Sequence, residues 1–192
     1  DCLGSVKNLV DEIIVVDTGS QDGTIEVARK MGAKIYEFRW CNDFSMARNF
    51  AAGKCIGDWI LVLDADEVVN IGEKQNLIDF AINNPSCIGR IKIESKFIDG
   101  NEISSSTEYV SRFYPKGLMY KGCIHEQLES LYTRKNINLE VIHSGYFNKD
   151  KSKRNLDLLF KELESDSNDN YILYQTARTL HVAKRYEEAD MY

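Results

Sequence analysis

Trp59-Ile60-Leu61-Val62-Leu63-Asp64-Ala65-Asp66 decides the fold. An apolar run ends abruptly in two acids spaced i, i+2. Such a run reads as a buried strand of a parallel sheet covered on both faces. Side chains two apart on a strand share a face, so Asp64 and Asp66 are expected to point the same way from its carboxyl end. Ligand crevices of open α/β sheets form outside that end. Two carboxylates there can hold a divalent metal, and the metal can hold a phosphate. A polar turn closing a strand is the competing reading, since Asp-x-Asp alone is common. The apolar run and the motifs around it give the pair its weight.

Before this run, Cys2, Leu3, Val6, Leu9 and Val10 recur at helical spacing. Glu12 to Asp17 reads as a buried strand, and Thr18 to Gly23 as a polar, Gly-bearing loop. Thr24 to Met31 predicts a short helix stopped by Gly32, and Lys34 to Phe38 a strand. Phe44 to Lys54 predicts an Ala-rich helix. After the run, residues 73–83 predict a helix ending near Asn84-Pro85. Gly89–Phe97 and Tyr109–Tyr114 then read as strands, with a turn at Pro115-Lys116-Gly117 and a late short strand at Glu140–His143. The charged stretch Lys149–Arg154 leads into a helix at 155–164. The order argues an α/β fold, largely parallel in its first half and mixed in its second. No Pro-rich linker divides the chain, which has only Pro85 and Pro115.

Residues 165–192 differ. After a polar break, Tyr171, Leu173, Tyr174, Ala177 and Leu180 follow helical spacing, and Tyr186-Glu187-Glu188-Ala189 opens another helix. The pattern resembles the start of a tetratricopeptide repeat. Two helices are expected, roughly 170–183 and 186–192, packed through Tyr174, Ala177, Leu180 and Ala189. A lone repeat leaves an apolar face open, so self-association through these helices is expected. An isolated terminal hairpin is the alternative.

The chain has 192 residues, 43% hydrophobic and 28% charged, as in an ordinary globular protein. Its net charge of −6 gives no sign of nucleic-acid binding. It does not exclude a phosphorylated ligand, because a metal can supply positive charge. No apolar stretch approaches the ~20 residues of a membrane span, and no signal peptide is visible. The odd number of cysteines, widely spaced and without Cys-x-x-Cys, fits a reduced, cytoplasmic setting and argues against a cysteine zinc site.

Several residues are candidates for chemistry. The loop opened by Asp17 sits at the same sheet end as Asp64. It suits contact with a nucleobase or ribose, and equally an ordinary turn with Asp22 or Gly23 capping the next helix. Arg48 can meet a phosphate with its planar fork. The bland alternative is a surface Arg early in a helix, where the macrodipole disfavours it. Glu126, beside His125, is a candidate general base. His143 ends an apolar strand and can complete a metal site begun by Asp66, although most solitary histidines are structural or solvated.

Taken together, Asp11 to Thr24, Trp40-x-x-Asp43-Phe44-Ser45-x-Ala47-Arg48-Asn49, Gly57 to Glu67, Gly122-x-Ile124-His125-Glu126 and Ile142-His143-x-Gly145-Tyr146 resemble glycosyltransferase family 2. These are inverting enzymes with a GT-A fold, a Rossmann-like α/β domain with a mostly parallel central sheet. The resemblance runs in order over residues 2–164. It is nearest to the branch with C-terminal tetratricopeptide repeats, giving a division at 1–164 and 165–192. It implies binding of a nucleotide diphosphate sugar, expected to be a UDP-sugar, by Asp17, Asp22, Arg48 and Asp64. It implies Mn²⁺ or Mg²⁺ on Asp66, with His143 by looser analogy, and Glu126 as the base. The acceptor is expected to be a glycan, a lipid-linked saccharide or a peptide.

The family begins with a strand ahead of the helix matched by residues 1–10. That strand is absent from this sequence, which also stops inside its first repeat, so a fragment truncated at both ends is expected. Two rival functions stand beside transfer of a sugar. A nucleotidyltransferase also uses carboxylate-bound metal on an α/β sheet, and would release pyrophosphate. A non-catalytic binding module would use the repeat to recruit a partner, against which the intact Asp64, Asp66 and Glu126 argue.

Overall fold

Short apolar stretches separated by Gly- and Asp-bearing loops set up the architecture, which the computed structural model describes over residues 1–99, 102–143 and 151–192. The elements are α1 (Cys2–Val6), β1 (Ile14–Asp17), α2 (Thr24–Lys30), β2 (Lys34–Glu37), α3 (Phe44–Lys54), β3 (Trp59–Leu61), β4 (Glu67–Gly72) and α4 (Lys74–Asn83). Then follow β5 (Cys87–Asp99), β6 (Glu102–Pro115), β7 (Tyr120–Lys121), β8 (Gln127–Leu128), β9 (Thr133–His143), α5 (Ser152–Ser165), α6 (Asn170–Val182) and α7 (Tyr186–Ala189). Ser144-Gly145-Tyr146 and the first two residues of the charged stretch from Lys149 lie outside the described residues.

Local chemistry sets the helix ends. Gly32, at φ 84°, follows the C-cap of α2. Its N–H donates to Arg29 O at 3.0 Å, and Ala33 N donates to Ala28 O at 3.1 Å, a Schellman closure that needs the left-handed residue in between. Asp43 caps α3 by accepting from Met46 N at 2.9 Å. Asp169 caps α6 in the same way, accepting from Tyr171 N at 2.8 Å.

The strands form a five-stranded sheet in the order β3-β6-β5-β9-β4 and two small pairs, β1-β2 and β7-β8. The α/β class and the mixed second half are as the sequence suggests. The parallel portion is smaller than expected: β1–β2 and β5–β9 run parallel, whereas β3–β6, β5–β6, β4–β9 and β7–β8 run antiparallel. The cause is the long β5–β6 hairpin, whose second arm takes one edge of β3. Among the described residues no ladder joins β1 to β3. A cavity of about 440 Å³ lies between them, lined by Val6, Val15, Phe44, Ile60, Arg48 and Asp64 among others.

The apolar run does alternate between two cores. Trp59, Leu61 and Leu63 pack with Phe80, Ile91, Phe113, Leu139 and Val141 under α1 and α4. Ile60 and Val62 pack on the other face with Ala52 of α3, Ile88, Tyr114 and Tyr120. Trp59 stacks on Phe113 with centroids 4.8 Å apart. The strand stops at Leu61, however, and Asp64-Ala65-Asp66 lies in the connection to β4, a strand the sequence reading did not anticipate. β3 and β4 are opposite edges of the sheet. Four strand spacings come to ~19 Å, farther than the linking residues reach once the bond from Glu67 N to Asp64 O has folded them into a turn. The sheet therefore curls, and the acidic turn crosses its mouth.

The C-terminal helices pack onto this body. Ile172 of α6 joins Ile124, Leu158 and Leu159 in one buried cluster flanked by Phe44, so residues beyond 165 share a core with the preceding segment. The buried face of α6 is Ile172, Gln175, Thr176 and Leu180. Leu180 is buried as expected, but Tyr174 is 59% exposed. Tyr174 lies toward water, where its hydroxyl is solvated, whereas the Tyr171 hydroxyl finds protein partners. Tyr171 Oη donates to His125 O at 3.2 Å. The last helix, α7, ends at Ala189, short of the expected 192. Among the described residues no helix is long and apolar enough to cross a membrane.

Candidate functional site

The turn between β3 and β4 presents two acids with different surroundings. Asp64 faces two guanidinium groups: Arg48 Nη2 stands 2.8 Å from Oδ1, and Arg112 Nη2 stands 2.8 Å from Oδ2. Asp66 faces β9, with His143 Nε2 3.3 Å from its Oδ2 and Lys151 Nζ 3.9 Å away. The shared face expected from strand alternation does not arise, because a turn has replaced the period-two geometry. The β4–β9 ladder accounts for the second pairing, since Glu67 is in register with His143 and Asp66 is its neighbour.

Arg48 is reached from the first turns of α3. Its Nη2 binds Asp64 while its Nε donates to Glu126 Oε1. The guanidinium also lies over the Tyr120 ring, 5.7 Å from its centroid. Asn49 fixes this neighbourhood by accepting from Tyr120 N at 2.8 Å and donating to Tyr120 O at 2.9 Å. Arg48, Asp64 and Glu126, far apart in sequence, thus meet in one network. The side chains of Asp64 and Asp66 keep about 40% of their exposure, at 40% and 39%, against 15% for Arg48 and 11% for Glu126. The two aspartates are thus the more exposed part of the network.

The charges are set by these contacts. Burial works against the Arg48 charge, but Asp64 and Glu126 outweigh it and keep the guanidinium protonated. Burial likewise opposes the Asp64 carboxylate, and Arg112 and Arg48 overcome it, holding the group well below the usual carboxylate range. The hydrogen bond from His143 lowers Asp66, and the same bond raises His143. His143 Nδ1 lies 3.3 Å from Ser95 Oγ, which orients the ring. His125, beside Glu126, sits at φ 51° with a buried Nε2 that has no hydrogen-bond partner among the described residues. Burial pushes its imidazole below the ordinary value.

The two loop acids make local bonds. Asp17 accepts from Gly19 N and Ser20 N, each at 3.0 Å, and Asp22 accepts from Thr24 N at 3.0 Å. Thr18 of the same loop lines the β1–β3 cavity together with Arg48 and Asp64. Gly23, rather than Asp22, occupies the N-cap position of α2. The two residues expected to hold a metal, Asp66 and His143, lie together, with Nε2 3.3 Å from Oδ2. Among the described residues no cluster of three or more His, Cys, Asp or Glu side chains is arranged for one.

Sequence reasoning missed Arg112 and Glu67. Both are buried, at 8% and 2% exposure. A signal was present: an Arg in the largely apolar strand Tyr109–Tyr114 needs a buried carboxylate.

SPbeta prophage-derived glycosyltransferase SunS of Bacillus subtilis is 30% identical over 203 residues, covering 98% of this chain and 47% of that protein. A TPR repeat-containing protein of Synechococcus elongatus is 59% identical over 66 residues, 34% of this chain and 16% of its own length. The fold is similar to that of S. aureus TarS 1–349, solved in complex with UDP-GlcNAc, with a TM-score of 0.51 and 15% identity over 93% of this chain and 66% of that one. This chain therefore spans less than half the length of those two curated relatives. The profile of Glycosyl transferase family 2 matches residues 1–130, spanning the Asp17 loop, Arg48, the acidic turn and Glu126. The chain belongs to glycosyl transferase family 2.

Proposed function

We propose that this chain carries the donor site of an inverting glycosyltransferase that uses a nucleoside diphosphate sugar and a divalent metal. The observation that carries the reading is the acidic turn at the mouth of the curled sheet, one carboxylate backed by two guanidinium groups and the next by an imidazole. Named glycosyltransferases among the relatives, and UDP-GlcNAc in the TarS complex, support a UDP-sugar as donor.

Asp66 and His143 fit a metal of this kind. A carboxylate oxygen and an imidazole nitrogen 3.3 Å apart form a mixed N/O pair that suits Mn²⁺ better than the harder Mg²⁺. When bound, the ion would neutralise charge developing on the departing diphosphate. The remaining work falls to the chain. Asp64, fixed by Arg48 and Arg112, is held ionised to accept hydrogen bonds from the ribose hydroxyls. Thr18 and its loop border the same cavity, where the base can lie. Glu126 takes the proton of the acceptor while that atom attacks the anomeric carbon from the face opposite the diphosphate. The C1–phosphate bond breaks, its electron pair leaves with the nucleoside diphosphate, and the configuration inverts. Arg48 ties the base to the donor side through its two carboxylate partners.

Glycans, lipid-linked saccharides and peptides remain the acceptor classes for this reading. Tyr174, Val182 and Tyr186, exposed on α6 and α7, support self-association at that end. The odd cysteine count supports a cytoplasmic setting. Calorimetry of UDP binding with and without Mn²⁺ tests the site. Asp66→Asn is expected to remove the Mn²⁺-dependent gain in affinity while preserving the fold, because the residue lies on an exposed turn. Unchanged Mn²⁺ dependence in the variant would eliminate Asp66 as a ligand, and pyrophosphate as product would point to nucleotidyl transfer instead.

A further inference from the structure

We propose that Glu67 and Arg112 are positioning residues whose joint task is to fix the conformation of the Asp64–Asp66 turn, rather than to stabilise the core. The inference rests on the donor-site reading above and adds to it a pair of residues that meets no ligand.

The geometry is specific. Glu67 uses both carboxylate oxygens. Oε2 accepts from Asp64 N at 2.8 Å, and Oε1 accepts from Arg112 Nη2 at 3.0 Å. Its own N–H donates to Asp64 O at 3.0 Å, so the turn is closed by backbone and side chain of the same residue. Arg112 holds the other end. Its carbonyl accepts from Val62 N at 2.9 Å, and its Nη2 reaches Asp64 Oδ2 at 2.8 Å. Glu67 is 2% exposed and Arg112 8%. Burying a carboxylate and a guanidinium is costly, and an apolar pair of similar volume would pack at least as well. What an apolar pair cannot do is accept from a turn amide on one side and hold a ligand carboxylate on the other. The second acid is next to this closure, because Glu67 is in register with His143 across the β4–β9 ladder and Asp66, one residue before it, meets the imidazole.

Glu67→Gln separates positioning from bulk. The amide keeps the shape but has a single acceptor oxygen, so one of the two contacts is replaced by a donor facing a donor. Two readouts on the whole chain are required. The first is metal-free: hydrogen exchange of the segment 62–67 is expected to speed up at least about tenfold in the variant, with exchange of α4 and β5 unchanged. The second is calorimetric: the gain in UDP affinity on adding Mn²⁺ is expected to fall about tenfold or more, and UDP affinity without Mn²⁺, which involves Asp64 but not Asp66, by a smaller factor. A general loss of structure would instead lower both affinities by a similar factor and speed exchange throughout, and that result overturns the proposal. So does unchanged exchange in the turn. A wild-type chain with no Mn²⁺-dependent UDP binding would reject the donor-site reading itself, and the role of the pair with it. If Glu67→Gln does not fold, Arg112→Lys serves the same comparison. It keeps the positive charge, but its shorter side chain does not bring a nitrogen to the place of Nη2 between Asp64 and Glu67, and it is expected to loosen the turn in the same window.

Discussion

Arg48 is the residue on which the network around the acidic turn depends, and its removal has a calculable consequence. In Arg48→Met the apolar stem is retained, so packing changes little. Asp64 keeps Arg112 at 2.8 Å. Glu126, only 11% exposed, loses the guanidinium that its Oε1 accepts from. Breaking a buried pair costs about 3–5 kcal/mol when one charge is left alone. Because only one of the two carboxylates is stranded, about 2–3 kcal/mol is expected here. For a chain of this size that is a fall in Tm of about 4–12 °C. The effect should persist at 0.5 M salt, since buried pairs are weakly screened. Adding Glu126→Gln removes the stranded charge, so the double variant should lose about 1–2 kcal/mol less than the sum of the single ones. Thermal and urea unfolding of the four proteins measure this cycle. Additivity within about 0.5 kcal/mol would mean that Arg48 and Glu126 do not interact in solution, and the network would be refuted.

Glu126→Gln alone should bind UDP normally and transfer about 10²–10⁴ times more slowly, as for loss of a general base; near-normal turnover in a donor-consumption assay would move the base elsewhere. The His143–Asp66 pair makes stability depend on pH. His143 is raised above its ordinary value by Asp66, so its contribution is complete below about pH 6.5 and lost as pH rises through the raised value. Asp66 is lowered, so its contribution is lost only in acid. With a chelator present, His143→Gln should therefore cost about 0.5–1 kcal/mol at pH 5.5, a modest figure because the pair is partly exposed, and less at pH 9; an equal loss of Tm at both pH values would contradict it. Leu180→Ala, at a fully buried position of α6, should cost about 2–5 kcal/mol in urea unfolding, and a change below about 1 kcal/mol would mean that α6 is not packed as described.

The sequence by itself determined the elements whose signals are local. The alternation of Trp59 to Leu63 between two cores, the closure at Gly32 and the helix at 44–54 follow from side-chain period and turn chemistry, which act over a few residues. As candidates, Asp64, Asp66 and His143 stand out at the ends of apolar runs, and Arg48 and Glu126 through the polar residues and motifs around them. Tertiary structure decided what they do to one another. Asp64 and Asp66 part company because β3 and β4 lie at opposite edges of a curled sheet, and the turn joining them abandons strand alternation. Strand order is set by which edges find partners, so the long β5–β6 hairpin left fewer parallel ladders than the sequence suggested. Arg112 left a trace in its strand, but nothing in the sequence pointed to Glu67 as its partner, because their meaning is pairwise. A buried Arg in one strand and a buried Glu in another acquire a role only when the fold brings them within 3.0 Å. The face of α6 was misread for a similar reason: helical period allows several stripes, and the contact of Ile172 with Ile124 and α5 selects one.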